Sequence, residues 1–160
     1  MRALVGELTS AGFGDVRTWL QSGNFVFTSS RTKPVGIESR IEDLIAHAFS
    51  LRTDVFVRAA AEWLAMITGN PFPNETIRDP SRVTLLVLKE PPVEGAWRVL
   101  QQSLAGPELI RGSGTHGYVV YPDGIGRSHL TPTRIERALG TRSTTRNWNT
   151  VTKLGEFLPR

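Results

Sequence analysis
The stretch SRVTLLVLKE, residues 81 to 90, restricts the fold more than any other part of the chain, because its apolar residues run almost without interruption. A strand with one wet face alternates apolar and polar side chains, whereas a strand covered on both faces does not. The stretch therefore predicts a central strand, which needs neighbours on either side and cover above and below. The residues after it supply candidates: a helical pattern with Trp97, Leu100 and Leu104, a short strand ELIR, a glycine turn GSGTHG, the strand YVVYP, and a further helix at 131 to 139.

The earlier part of the chain has a nearly matching order. Leu4, Val5, Leu8 and Ala11 recur at helical spacing before Gly12 and Gly14, which predicts a helix over residues 2 to 11 with a glycine stop. VRTWL and NFVFTSS read as two strands joined by QSGN, whose Ser22-Gly23 centre suits a tight hairpin. Ile37, Ile41, Leu44, Ile45, Ala48 and Phe49 mark a second helix, and DVFVR, residues 54 to 58, a short strand. Residues 59 to 68, with Trp63, Leu64 and Ile67, look helical until Gly69 and the loop NPFPNE, where prolines remove backbone donors and forbid helix continuation. The expected fold is α+β with two ferredoxin-like plaits. A unit over residues 1–60 lacks the opening strand of a plait, and a unit over 61–160 carries an extra C-terminal helix. The halves show no repeat at the level of residues.

Composition narrows the chemistry. Hydrophobic residues make up 39% of the 160 and charged ones 21%, which suits a globular chain with a core to bury and excludes a disordered one. Cysteine is absent, so disulfides, thiol catalysis and thiolate zinc sites drop out together. The opening MRALVGELTSAGF has Glu7 within it and no apolar signal-peptide core, and no apolar run approaches the ~20 residues that span a bilayer. A cytoplasmic protein is expected.

The charge is +4 overall but unevenly spread. Residues 127 to 160 hold seven Lys or Arg against Glu136 and Glu156, a net of +5, while the other 126 residues net −1. A concentrated positive segment attracts phosphates or carboxylates over roughly a Debye length, ~8 Å at physiological salt. Its plainer reading is a solvated basic face. Two stretches in or beside the segment have the residue types of an anion site. In YPDGIGRSHL, residues 121 to 130, a turn sequence is followed by Gly126, Arg127 and Ser128 just before a helix, a grouping that can hold a phosphate or serve only as a turn. In TTRNWNTVTKL, residues 144 to 154, Thr144 or Thr145 reads as a helix cap. Trp148, Val151, Leu154 and Leu158 then form an apolar stripe, and Arg146, Asn149 and Lys153 a polar one. Trp148 reads as core rather than as a ligand platform. Asn147 suits a helix N-terminus, where it hydrogen-bonds backbone or ligand.

Other constellations fail. YPDGIGRSHL departs from a dinucleotide fingerprint at His129 and has no glycine-lysine pair of a nucleotide loop. His47, His116 and His129 are far apart in sequence, and Ser113 and Ser128 stand outside any nucleophile-elbow pattern. NPF at 70 to 72 and the sequon at Asn74 are short matches that carry no argument. The motifs call for no metal and no cofactor.

TWLQSGNFVF, NPFP, YPDGIGRS and TTRNWNTVTKL, in this order and spacing, resemble the domain-of-unknown-function 1697 family of small, mainly bacterial proteins, over essentially the whole chain. The resemblance implies a two-part α+β protein with ferredoxin-like plaits and carries no reaction, cofactor or catalytic residue with it. Family members usually open with a hydrophobic strand, an Arg-Gly-Ile-Asn stretch and a glycine- and lysine-containing loop ahead of the helix that here starts at Met1. The resemblance therefore implies an open sheet edge in the first plait, through which a homo-oligomer would form.

Two functions are weighed. One is a binding module for an anionic partner, a phosphorylated metabolite or nucleic acid, through Arg127, Arg146, Asn147, Asn149 and Lys153, with Gln21, Ser22 and Asn24 as a second polar patch. The aromatic signature of an RNA-recognition strand is missing. The other is an enzyme acting on a small anionic substrate in a cleft between YPDGIGRS and TTRNWNT, with Asp123 or His129 moving protons. The lack of a matched acid and base favours binding.

Overall fold
The computed structural model describes residues 2–19, 23–30 and 34–159. Contacts divide the chain into a first unit, Met1–Trp63 with Leu154–Arg160, and a second unit, Leu64–Lys153. The fold is α+β throughout.

The first unit begins with α1 (Arg2–Ser10), which ends as its spacing predicts, with Gly12 at φ +90° taking the conformation that side chains avoid. The hairpin of β1 (Gly14–Trp19) and β2 (Asn24–Thr28) follows, in antiparallel register with Trp19 opposite Asn24 and a shift between Gly14 and Arg17. Then comes α2 (Pro34–Phe49). Leu8, Phe13, Ile37, Ile41, Ile45 and Val55 form the core, and Phe13 meets Phe27 edge to face at 4.9 Å.

DVFVR does not become a strand. Among the described residues the sheet of this unit is β1 and β2 alone. The Val55 and Val57 N–H groups donate to α2 side chains instead, to Glu42 Oε1 at 2.8 Å and Glu38 Oε1 at 2.7 Å. The spacing explains the match: residues four apart on a helix rise ~6 Å, close to the ~6.7 Å between alternate residues of an extended chain. Glu38 also faces Arg58 at 3.6 Å, and Arg58 meets Glu62 at 3.4 Å. Two carboxylates of one helix thus take donors that a neighbouring strand would otherwise accept.

The division between units falls within α3 (Ala60–Thr68). The predicted loop NPFPNE instead starts a short helix, α4 (Pro73–Arg78). Pro73 stands in its first turn, where the missing N–H would have had no helical partner anyway. The second unit then runs β3 (Val83–Leu88), α5 (Ala96–Gln102), β4 (Leu109–Ser113), β5 (His116–Val120), α6 (Pro132–Leu139), β6 (Ser143–Asn147) and α7 (Trp148–Glu156), whose last residues belong to the first unit. The sheet order is β4-β5-β3-β6, antiparallel between all neighbours, which is the ferredoxin-like plait. All six residues of β3 are buried between β5 and β6, so SRVTLLVLKE is central as its composition requires.

One sheet face packs Leu86, Leu88, Ile110, Val119 and Tyr121 against Ala96, Leu100, Ile135 and Leu139 of α5 and α6. Trp97 lies flat on the β4–β5 hairpin, where Gly112 and Gly117 are paired opposite each other. A Cβ at either glycine would stand 2.3 or 2.6 Å from the indole, so this close approach requires both. The indole N–H donates to Gly114 O at 3.1 Å. On the other face Tyr118 donates its hydroxyl to Met66 O at 2.8 Å and stands 6.3 Å from the Trp148 ring. Thr131 caps α6 by accepting from Arg134 N, and Gly140 ends it at φ +68°.

Candidate functional site
The turn YPDGIGRSHL leaves the end of β5 and leads into α6. Its first residue is anchored twice: Tyr121 N donates to Arg82 O at 2.8 Å, and the buried Tyr121 hydroxyl donates to Leu130 O at 3.2 Å. Burial, and then the charge of Glu108, push the phenol pKa up to about 12. Gly124 is at φ +85°, and Arg82, held by Asp79 at 3.3 Å, donates from Nη1 to Pro122 O at 3.2 Å. A Cβ on Gly124 would lie 3.0 Å from that guanidinium, so the glycine serves both conformation and space. Ile125–Arg127 then form a 3-10 turn that leaves Arg127 exposed.

The Ser128 hydroxyl is already engaged in this turn. It donates to Glu108 Oε1 and accepts from Leu130 N at 3.0 Å. The Ser128 hydrogen bond holds the Glu108 carboxyl below its ordinary pKa, assisted by Glu108's own N–H and by the charges of His129 and Arg134. The grouping of glycine, arginine and serine around one phosphate is therefore not built as the spacing suggested. The Glu108 carboxylate accepts the Ser128 hydrogen bond, so that hydroxyl is not offered to an anion.

The closing stretch differs more. Thr144 and Thr145 belong to β6, not to a helix start, and Arg146 pairs with Leu85 of β3. The cap of α7 is Asn147, whose Oδ1 accepts from Thr150 N at 3.0 Å. The polar stripe of Arg146, Asn149 and Lys153 does not exist, because Arg146 is in a strand. Its Nη1 turns back along β6 to Thr144 Oγ1 and Thr145 O, both at 2.7 Å, and burial lowers its pKa. Asn149 is exposed and Lys153 half-buried on α7. Trp148 is 8% exposed, as a core residue should be.

These placements separate the two stretches. Residues opposite each other in adjacent strands share a face, so Arg146 lies on the face of Leu85, away from the Leu86 and Leu88 face that α5 and α6 cover. Arg127 is in the connection leading into α6. The expected cleft between YPDGIGRS and TTRNWNT, lined from both sides by cations, is not formed by Arg127 and Arg146. In the other patch Asn24 is buried and its Nδ2 donates to Trp19 O at 3.4 Å, so it ties β2 to β1. Gln21 and Ser22 lie outside the described residues.

Sequence reasoning missed two features. Arg82, at the head of SRVTLLVLKE, reaches the turn after β5, a contact between residues 40 apart that local patterns do not reveal. A neutral cleft of about 390 Å³ is lined by Ile67, Thr68, Asn70, Pro73, Thr76, Ile77 and Trp148. Asn70 and Pro73 of NPFP and Trp148 of RNWN meet in its walls, a neutral convergence that neither stretch signals separately. Among the described residues no group of three or more His, Cys, Asp or Glu is placed to hold a metal ion. No helix of the described residues is long and apolar enough to cross a membrane.

Fold and sheet topology define a small α+β protein with a ferredoxin-like plait. The chain belongs to the family described as "Protein of unknown function (DUF1697)", whose model matches residues 1–118. No curated protein matches the sequence. Among solved structures it is similar to a conserved bacterial protein, SP0830, from Streptococcus pneumoniae, at 21% identity and a TM-score of 0.74 over 99% of this chain and 88% of that one. At that identity the likeness shows the fold alone.

Proposed function
We propose that the protein is a binding module for an anionic partner, a phosphorylated metabolite or nucleic acid, at a basic surface of its C-terminal part. The observation that carries this reading is that Arg127 and Arg137 are exposed and meet no carboxylate among the described residues, within the segment that nets +5. Guanidinium groups left in water without a partner are available to phosphate oxygens. Arg146, Asn149 and Lys153 add positive charge and polar groups on another part of the molecule, and Asn147 serves as a helix cap, so the emphasis moves to the turn after β5 and to α6. A nucleotide or nucleic-acid partner would place the work in the cytoplasm. The two-stranded sheet of the first unit supports a homo-oligomer through its edge, to be read from the molar mass in solution.

The test is binding of single-stranded RNA and of inorganic pyrophosphate at several salt concentrations, with Arg127→Ala and Arg137→Ala separately and together. Phosphate contacts should appear as a linear fall of log affinity with log salt, and each substitution should reduce that slope by about 0.7 if it removes one contact to single-stranded RNA. Stability should change by no more than ~0.5 kcal/mol per exposed site. Salt-independent binding, or affinity unchanged in the double variant, rejects this surface.

A further inference from the structure
The cleft formed by α3, α4 and the start of α7 has walls that differ in kind from the basic surface. None of its seven lining residues is ionisable. Ile67, Pro73, Ile77 and Trp148 are apolar in body, and the cleft is a shallow one of about 390 Å³, open to solvent over most of its extent.

The polar groups of the walls are mostly committed to holding α3 and α4 in shape. Thr68 Oγ1 donates back to Ala65 O at 3.1 Å. Asn70 accepts from Phe72 N through Oδ1 and donates from Nδ2 to Thr76 Oγ1, both at 2.9 Å, and Thr76 Oγ1 donates to Phe72 O at 2.5 Å. The exception is the Trp148 indole. Its side chain is packed beside Tyr118 in a residue only 8% exposed, yet its N–H has no partner among the described residues and is not one of the fully enclosed orphans. A tryptophan this buried usually finds an acceptor for that N–H. At the rim, Ile77 is 84% exposed, a large apolar side chain left in water.

We propose that this cleft binds a small uncharged ligand with an apolar body and a carbonyl oxygen, an amide or ester, the body covering Ile67, Pro73 and Ile77 and the carbonyl accepting from Trp148 Nε1–H. A charged ligand is disfavoured because no wall residue offers a counter-charge and desolvating a charge without one is costly. A neutral ligand with an acceptor pairs the Trp148 N–H and covers the exposed isoleucine. The site is independent of the anion-binding surface, since Arg127 and Arg137 do not line it.

The probe is N,N-dimethylbenzamide, a neutral aryl amide, titrated into the full chain while the four tryptophan indole N–H signals are followed by proton–nitrogen correlation NMR. The Trp148 signal, assigned through Trp148→Phe, should move downfield and saturate with a dissociation constant on the order of 1 mM, as expected for a ligand of few atoms. Trp19, Trp63 and Trp97 should stay in place. Trp148→Phe retains an aromatic ring and removes the donor, so affinity read from neighbouring amides should fall roughly tenfold, the worth of one hydrogen bond. Ile77→Glu, at an exposed position where folding is not at stake, should weaken the amide several-fold. Benzoate should not compete. A shift that never saturates, equal movement of all four indoles, competition by benzoate, or unchanged affinity in Ile77→Glu overturns the proposal.

Discussion
The two units satisfy backbone donors by different means. In the second, the buried strand β3 has β5 on one side and β6 on the other, so its ladder is closed by neutral groups on both edges. In the first, Val55 and Val57 turn their N–H groups to Glu38 and Glu42 of α2, and one of those carboxylates also holds Arg58. A neutral ladder adds hydrogen bonds without burying charge. A carboxylate acceptor forms a stronger bond but must itself be desolvated and balanced by a cation. The first arrangement is therefore expected to be brittle, failing when one side chain is removed, whereas the second spreads the same task over many residues.

The largest expected effect is at Glu38. Glu38→Ala leaves the Val57 N–H without its carboxylate and takes one carboxylate from the nearly buried Arg58 guanidinium. Loss of one member of a buried pair costs ~3–5 kcal/mol. Urea unfolding should register that loss, with Glu38→Gln recovering part of it because an amide oxygen still accepts from Val57. Amide exchange should quicken at Val57 well before it does at Leu85. A loss below ~1 kcal/mol, about what an exposed ion pair contributes, would show that the carboxylate is not the support of this segment.

The second unit should instead reveal its weakness at high pH. Both tyrosines of the chain are in its sheet region, and burial raises the pKa of each, that of Tyr121 to about 12 with Glu108 adding to the effect. The folded chain holds these protons more tightly than the unfolded one, where phenols titrate near ~10. Their contribution is thus intact below ~10 and is lost as pH rises through that value toward the raised folded pKa, for Tyr121 on the order of 2–3 kcal/mol at ~1.4 kcal/mol per unit. Native protein should show no phenolate absorbance step near ~10, and Tyr121→Phe should flatten the alkaline fall in stability. A full step for both residues in folded protein would contradict the burial.

The smallest effect sharpens the comparison. Asn147→Ala removes the side-chain cap of α7 but leaves the β6–β3 ladder in place, so the loss in thermal unfolding should be ~1 kcal/mol. Asn147→Asp should retain most of the stability. A loss as large as that at Glu38 would mean that the second unit also hangs on single side chains.

The sequence by itself determined what depends on periodicity within one element. SRVTLLVLKE is a central strand because an uninterrupted apolar run cannot face water on either side. The α1 stop, the β1–β2 pairing and α6 follow from glycine, strand and helix patterns as they stand in the chain. The tertiary structure decided what depends on a partner far away. TTRN can cap a helix or extend a sheet, and it extends the sheet because β3 offers an open edge there, which moves Arg146 onto a strand and passes the cap to Asn147. DVFVR has the composition of a strand, but its donors are taken by α2 carboxylates. The neutral cleft needs Asn70, Pro73 and Trp148 from stretches more than 70 residues apart. The physical reason is the same in each case. Side-chain spacing reports which face of an element is buried, whereas pairing and convergence depend on which distant group arrives to accept the hydrogen bond.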